Sequence, residues 1–443
     1  MLRYFSREKT LFHLLIAGCV LRIMVFLVMN ASNPDQHHEV LRFIKEFHRL
    51  PRIRELFLAT HPPFYYLVAL PFYWFDDPVS LKLTQLLSLL IGTFNLYLIY
   101  KLHQKLVADV LVRNLAFLIA AFNPTFLAYS LYVSNDTMAF LMGTGILYLI
   151  YLYVNNPTSQ TEIFLAIATG LALLTKTTFL PFIPLVVLVV LLMRWKSSPA
   201  KADVVISLVA FVSIVFFLGS YKFIENKHYE HKFFLHNLDF FPLNHQATYK
   251  GIENFINFNL WDLVTFPGEF NDDHATRYAY FLTFYATFWY KHIDFENNLN
   301  LGNYTSFKYI GSLIYIFGLL PTLTFFGGFF IKIKDSILTV WDILWGKGFS
   351  STGLYQVFLT AVFTLSFLAV FGAGIKYDGW SFFHGRFLGH VMVALLFIMA
   401  VGFSYLKKLN TPLFNISAYS LIIASSLHVV YFVVESVWEV IGG

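Results

Sequence analysis

The chain has one cysteine, Cys19, in 443 residues. A single thiol makes no disulfide framework and no cysteine metal site. Charge is scarce too. Asp, Glu, Lys and Arg make up 13% of the residues, where soluble domains carry roughly 25%. Hydrophobic residues reach 57% and the mean hydropathy is +0.62. A water-soluble core could not hide that much apolar surface, so the solvent must be lipid. Neither a G-x-x-x-x-G-K-[ST] phosphate loop nor a G-x-G-x-x-G turn occurs, so the usual marks of a nucleotide-binding domain are missing. There is no internal repeat, no low-complexity segment and no hydrophilic tail that would form a second domain.

What the chain does have is long apolar runs and aromatics: 51 Phe, 26 Tyr and 8 Trp, many near run ends, where interfacial rings sit. A span needs about 20 largely apolar residues. Eleven candidates read as 11–29, 80–100, 114–133, 137–154, 162–175, 177–194, 203–222, 308–332, 353–373, 386–405 and 412–434. The predicted fold class is therefore an all-α polytopic membrane protein, with the first run kept as a signal anchor. With the N-terminus inside, the short inner loops carry Arg3, Arg7 and Lys9; Lys101, Lys105 and Arg113; Arg194, Lys196 and Lys201; Lys332 and Lys334; and Lys407 and Lys408. That pattern is positive-inside. The long loops 30–79 and 223–307 then face outward, as does the loop 374–386. The two long loops hold ten of the fifteen histidines, so polar chemistry gathers on one side. The net charge of +5 fits cationic inner loops, with some cations left for an anionic substrate.

The first outer loop opens on NPDQHHEVLRFIKEFHRLP, with Asp35, His37, His38, Glu39 and Arg42 within eight residues. Ser32 or Asn33 can cap a helix, Pro34 suits its first turn, and Asp35 favours the positive end of its dipole. Val40, Phe43, Ile44, Phe47 and Leu50 then recur at helical spacing. The stretch reads as an amphipathic helix lying on the membrane surface, and Asp35 reads either as its cap or as a reactive acid. His61-Pro62-Pro63 begins a second apolar helix over 62–75, too short to span.

The order span, acid-led helix, His-Pro-Pro and aromatic helix resembles the first outer loop of the GT-C class of integral-membrane glycosyltransferases. That class includes the protein O-mannosyltransferases, the lipid A aminoarabinose transferases and the lipopolysaccharide-core sugar transferases. Asp35 stands where the class has its reaction-centre Asp. His61-Pro62-Pro63-Phe64-Tyr65-Tyr66 matches its Pro-Pro-aromatic motif. Asn123-Pro124 with Val133-Ser134-Asn135-Asp136, and Gly385-Arg386-Phe387, resemble two further motifs of the class. The chain departs at Asp35-Gln36, where many relatives have Asp-Glu; Glu39 or Asp136 would have to serve as the second acid.

The resemblance implies a GT-C fold in a single domain over 1–443 and a sugar donor carried on polyprenyl phosphate. The acceptor would be a lipid, glycan or protein hydroxyl, and nucleic acid has no part. The absence of a nucleotide-binding signature fits such a donor. Transfer needs a base for the acceptor hydroxyl, an environment that tolerates an oxocarbenium-like transition state, and cations or donors for the departing phosphate. Asp35 is the expected base of an inverting transfer, and Asp136 the second acid or else a cap of the fourth span. His61, Lys176, Arg277 and Arg386 are expected at the phosphate, although Lys176 and Arg386 could instead snorkel to headgroups. His37, His38, Glu39 and His384 complete the expected substrate-binding set. No cofactor is called for. Glu269, Asp272, Asp273 and His274 could hold a divalent cation, but their spacing matches no metal motif and also suits a solvated acidic turn. The expected location is a bacterial inner membrane, or the endoplasmic reticulum in a eukaryote, with the site on the outer or lumenal face. The competing classes are a transporter or flippase of lipid-linked sugars, and a glycan polymerase or ligase of similar fold. A transporter places ionisable groups near the bilayer midplane and shows repeats. Here the polar residues sit in outer loops and no repeat is seen.

Overall fold

A computed structural model describes residues 1–29, 35–197, 200–241, 253–265, 279–290, 308–377 and 382–442. Arg277, Glu269, Asp272, Asp273 and His274 lie outside them. Every regular element among the described residues is helical. In chain order the main helices are α1 (Glu8–Val28), α2 (His37–Phe47), α3 (Phe64–Ala69), α4 (Asp77–Leu106), α5 (Val110–Phe122), α6 (Pro124–Tyr129), α7 (Asn135–Asn155) and α8 (Ser159–Thr175). They continue as α9 (Phe182–Ser197), α10 (Lys201–Gly219), α11 (Tyr221–Glu230), α12 (Tyr280–Trp289), α13 (Lys308–Leu344), α14 (Ser351–Tyr377), α15 (Met392–Leu409) and α16 (Thr411–Gly442).

Nine helical segments among the described residues are long and apolar enough to cross a membrane, and three shorter apolar ones accompany them. The expected span 114–133 is not one helix. It breaks at Asn123-Pro124 into α5 and α6, because Pro124 has no N–H to continue the ladder. Thirteen residues of α5 rise only about 20 Å, short of a hydrocarbon core of about 30 Å. The expected fifth and sixth spans are separate helices, α8 and α9, parted at Lys176, whose φ of −157° and ψ of 135° are extended.

The segment Gly385–Leu409, which contains α15, forms the axis, with 83% of its most apolar window buried. Met392 to Ala400 are all buried, as expected for a helix that is apolar all round. α13 runs along α15 and α16, α8 along α7 and α10, and α1 against α4 and α5. Burial of apolar surface does not drive helix association inside lipid; close packing and polar pairs do. At the crossing of α13 and α15, a Cβ on Gly328 would strike the Ile398 carbonyl, and one on Gly402 the Thr324 carbonyl.

The amphipathic helix exists as α2, but its apolar residues are covered by protein. Val40, Leu41 and Ile44 are buried with Leu58, Tyr65, Tyr66 and Tyr73 in one cluster. Burying a side chain of this kind is worth about 1.5–3 kcal/mol where the alternative is water. Phe47 stays exposed and Leu50 lies past the helix end. The aromatic run that follows Arg277 in sequence, which reads as an amphipathic helix covering the cavity, forms α12, and it is not amphipathic. Tyr280, Leu282, Thr283, Tyr285, Ala286, Thr287 and Trp289 are buried on several sides. It is a supporting element rather than a lid.

Candidate active site

Asp35 is not a cap. The helix starts two residues later, at His37, with Gln36 as its N-cap residue in the left-handed region at φ 57°. That conformation is uncommon for a residue with a Cβ, and it separates Asp35 from the helix. Asp35 Oδ2 accepts a hydrogen bond of 2.7 Å from Arg386 Nη1. The Arg386 guanidinium also donates to the Tyr129 hydroxyl at 2.5 Å and lies 4.9 Å from the Phe387 ring centroid. It is therefore buried on a carboxylate and does not snorkel. Residues 351 apart in sequence meet here.

A second acid–cation pair stands nearby. Lys176 Nζ donates to Asp136 Oδ1, with both side chains less than a tenth exposed. Its ammonium is 5.3 Å from the centroid of the Phe387 ring, the same ring that Arg386 covers. Snorkelling is again ruled out. Nor does Asp136 cap the fourth span: Ser134 Oγ does, accepting from the Asp136 N–H at 3.2 Å. A cation and an anion at this depth are tolerated because each neutralises the other.

His37 joins the two pairs. Asp35, Asp136, Lys176 and Arg386 all act electrostatically on it. Its Nδ1 is 2.9 Å from the Tyr66 hydroxyl and its Nε2 is 4.0 Å from Asp35 Oδ2. Burial pushes its pKa down to about 4, so the ring is neutral at neutral pH. His61 packs edge-on to it at 5.8 Å and pairs with the Asn135 amide at 2.9 Å. Burial, and then His37, Lys176 and His236, hold His61 well below the ordinary histidine range. His61 is a neutral hydrogen-bonding group here.

His384 is fully buried, and its Nδ1 accepts from the Arg386 N–H at 3.1 Å, so it aims the backbone that carries Arg386. From beneath, α12 fixes the same turn: Thr287 Oγ1 accepts from the Gly385 N–H at 3.0 Å, and Asn123 Nδ2 donates to the Phe288 carbonyl at 2.6 Å. His38 and Glu39 look elsewhere. Burial lowers the His38 pKa, and its charged neighbours are Arg42, Glu39 and Asp77. Of the two stand-ins for the second acid, Asp136 is the one beside the cluster.

Sequence reasoning missed Tyr129, Asn135 as a partner of His61, and Tyr66, each hidden in an apolar or motif stretch without a charge to mark it. It also missed His236, close enough to act on His61. A cleft beside His61 and Tyr66 is lined further by Val40, Leu58, Lys222 and Glu225, and Lys222 Nζ donates to Glu225 at 2.5 Å. The described residues contain no group of three metal-ligating side chains.

Residues 53–227 match the family model for dolichyl-phosphate-mannose-protein mannosyltransferase. Over that stretch the chain is similar to that family, and the resemblance to the GT-C class holds. The match contains His61, Tyr129, Asp136 and Lys176, while Asp35 and Arg386 lie outside it. No curated protein matches in sequence. Among solved structures, the oligosaccharyltransferase of Archaeoglobus fulgidus is similar with a TM-score of 0.49 at 13% identity, covering 97% of this chain. The chain spans 56% of that protein's length. ArnT from Cupriavidus metallidurans, solved bound to undecaprenyl phosphate, is similar with a TM-score of 0.38 at 16% identity, covering 92% of this chain and 80% of ArnT.

Proposed function

We propose that the chain is an inverting membrane glycosyltransferase that moves a sugar from a polyprenyl-phosphate donor to an acceptor hydroxyl, with Asp35 as base. The carrying observation is the Asp35–Arg386 pair beside the Asp136–Lys176 pair. Two anions and two cations drawn from four distant segments have no structural need to share one place. The family match supports the same reading from residues that exclude Asp35 and Arg386.

In the reaction, the acceptor oxygen forms a bond to the anomeric carbon as Asp35 takes its proton. The bond from that carbon to the phosphate oxygen breaks, and the electron pair leaves with the phosphate. A single displacement inverts the anomeric centre. Arg386 and Lys176 meet the charge that grows on the departing phosphate. Tyr129 and the neutral His61 supply hydrogen-bonding groups beside them. The hydrogen bond from Arg386 occupies Asp35 Oδ2. A donor phosphate that draws Arg386 to itself frees Asp35 only when there is something to transfer. Asp136 holds Lys176 in place.

The chain forms one domain, its N-terminus inside, with the cluster at the outer face of a bacterial inner membrane, or at the lumenal face of the endoplasmic reticulum in a eukaryote. The acceptor is a lipid, glycan or protein hydroxyl. The test is release of polyprenyl phosphate from short-chain polyprenyl-phosphate hexose, pentose and aminopentose by the purified protein in detergent, with lipid, glycan and peptide hydroxyl acceptors supplied. Arg386→Ala is expected to lower the rate about 10²–10³-fold, the loss typical of one oxyanion donor. No turnover of any donor, together with movement of those lipids across a reconstituted bilayer, would make it a transporter instead.

A further inference from the structure

We infer that Arg22, a cation inside the first span, is a positioning residue of the site: it replaces the hydrogen bonds lost at the Asn123-Pro124 break and so holds Tyr129 against Arg386. Its effect on turnover rests on the proposed reaction; its structural part does not.

Arg22 lies well inside α1 with 2% of its surface exposed. Among the described residues no carboxylate pairs with it. A charge at that depth is costly and marks a site where the protein needs it. The accounting of backbone carbonyls identifies the need. In an unbroken helix the Ala120 carbonyl would accept from residue 124, which is proline and has no N–H. The Ala121 carbonyl would accept from the Thr125 N–H, but that group donates to Asn123 Oδ1 at 3.1 Å instead. Both carbonyls lose their helical donors in a buried place, and a carbonyl left unpaired there costs several kcal/mol. Arg22 Nη2 donates to Ala120 O at 3.1 Å and Nη1 to Ala121 O at 2.9 Å. The negative end of the α5 dipole points at the same guanidinium and offsets its charge.

The remaining donors carry this into the site. Arg22 Nε donates to Ser130 Oγ at 3.1 Å, and Ser130 Oγ donates to Leu127 O at 2.6 Å. A Cβ on Gly92 would collide with the Ser130 side chain, so α4 presses on this residue from another side. Tyr129, one residue earlier, takes the Arg386 hydrogen bond. Only the arginine fork reaches the Gly18, Ala120 and Ala121 carbonyls and the Ser130 hydroxyl at once; lysine offers a single point of charge.

Two experiments decide it. The first needs no activity. Arg22→Met and Pro124→Ala are combined, and the melting temperature in detergent is measured for all four proteins. Alanine restores an N–H at 124, so the loss caused by Arg22→Met should shrink by at least half in the Pro124→Ala background. An equal loss in both backgrounds overturns the inference. The second uses Arg22→Lys, which keeps the charge. Hydrogen exchange at 123–132 and 384–388 should speed up at least tenfold while α13 is unchanged. Turnover of a polyprenyl-phosphate sugar should fall about tenfold with KM within twofold, and Arg22→Met should be worse than Arg22→Lys. Unchanged exchange and turnover in a folded Arg22→Lys protein overturn the positioning role. Absence of turnover in the unaltered protein counts against the proposed reaction and leaves the melting and exchange results to judge Arg22.

Discussion

Replacing Asp35 by Asn separates its roles sharply. Asparagine has nearly the same shape and keeps an oxygen that can accept the 2.7 Å bond from Arg386, so what it loses is charge and basicity. The Asp35 side chain is 20% exposed and that of Arg386 13%, so the lost attraction lies between the surface and buried limits. Surface pairs are worth about 0–1 kcal/mol, and breaking a buried pair costs about 3–5 kcal/mol. With the hydrogen bond kept, about 1–2 kcal/mol is a reasonable loss, too little to unfold a bundle of this size. Asp35 does not cap α2, so no cap is lost. A general base contributes about 10²–10⁴-fold in rate. Asp35→Asn is therefore expected to give a folded protein slowed at least a hundredfold in transfer from a polyprenyl-phosphate sugar, with its melting temperature measured in the same detergent. A folded Asp35→Asn protein within tenfold of the unaltered rate refutes the base assignment. If Asp136→Asn, also folded, abolishes transfer at the same time, the base is Asp136.

The Asp136–Lys176 pair should respond differently: Asp136→Asn strands a buried ammonium and should lower stability by about 3–5 kcal/mol, and adding Lys176→Met should return most of it, as a double-mutant cycle in thermal melting would read. The pH dependence follows from His37, whose folded pKa of about 4 lies below the unfolded value of 6.5. The unfolded chain binds a proton in that window and the folded one does not, so the His37 share of stability is intact above about 6.5 and falls as pH drops toward 4. Denaturation curves should show a shallower acid loss in His37→Gln, and an unchanged slope would refute the buried neutral ring. Reporter fusions at Lys105, His231 and the C-terminus should read inside, outside and outside; an inside C-terminus would point to a miscount at the short helices α5 or α8.

The candidate site was legible wherever chemistry breaks an apolar pattern. Asp35, His61, Asp136, Lys176 and Arg386 stand out because a charged or ring-nitrogen group at the edge of a span is expensive. His38 and Glu39 stood out for the same reason and lie off the cluster, because adjacent residues on a helix point about 100° apart and the loop carries α2 with one face to Tyr66. Arg22 passed unremarked as one cation in a long run; its partners are carbonyls, and carbonyls have no sequence signature. Tyr129 is one ring among many.

Composition and spacing by themselves settled the solvent, the helical class and most helix positions, because lipid allows few backbone solutions and demands long apolar runs. The resemblance of the chain's motifs to the GT-C class marked the candidate groups. Which acid faces which cation was decided only by the fold. Asp35 meets Arg386 because the axial segment beginning at Gly385 brings its start beside the entry of α2, and α12 beneath it is tied to both Gly385 and Asn123. Lys176 meets Asp136 because α7 and α8 pack along each other. The physical reason is range. Hydropathy and capping act over a few residues and can be read locally, whereas a pairing across 351 positions depends on how every intervening helix packs.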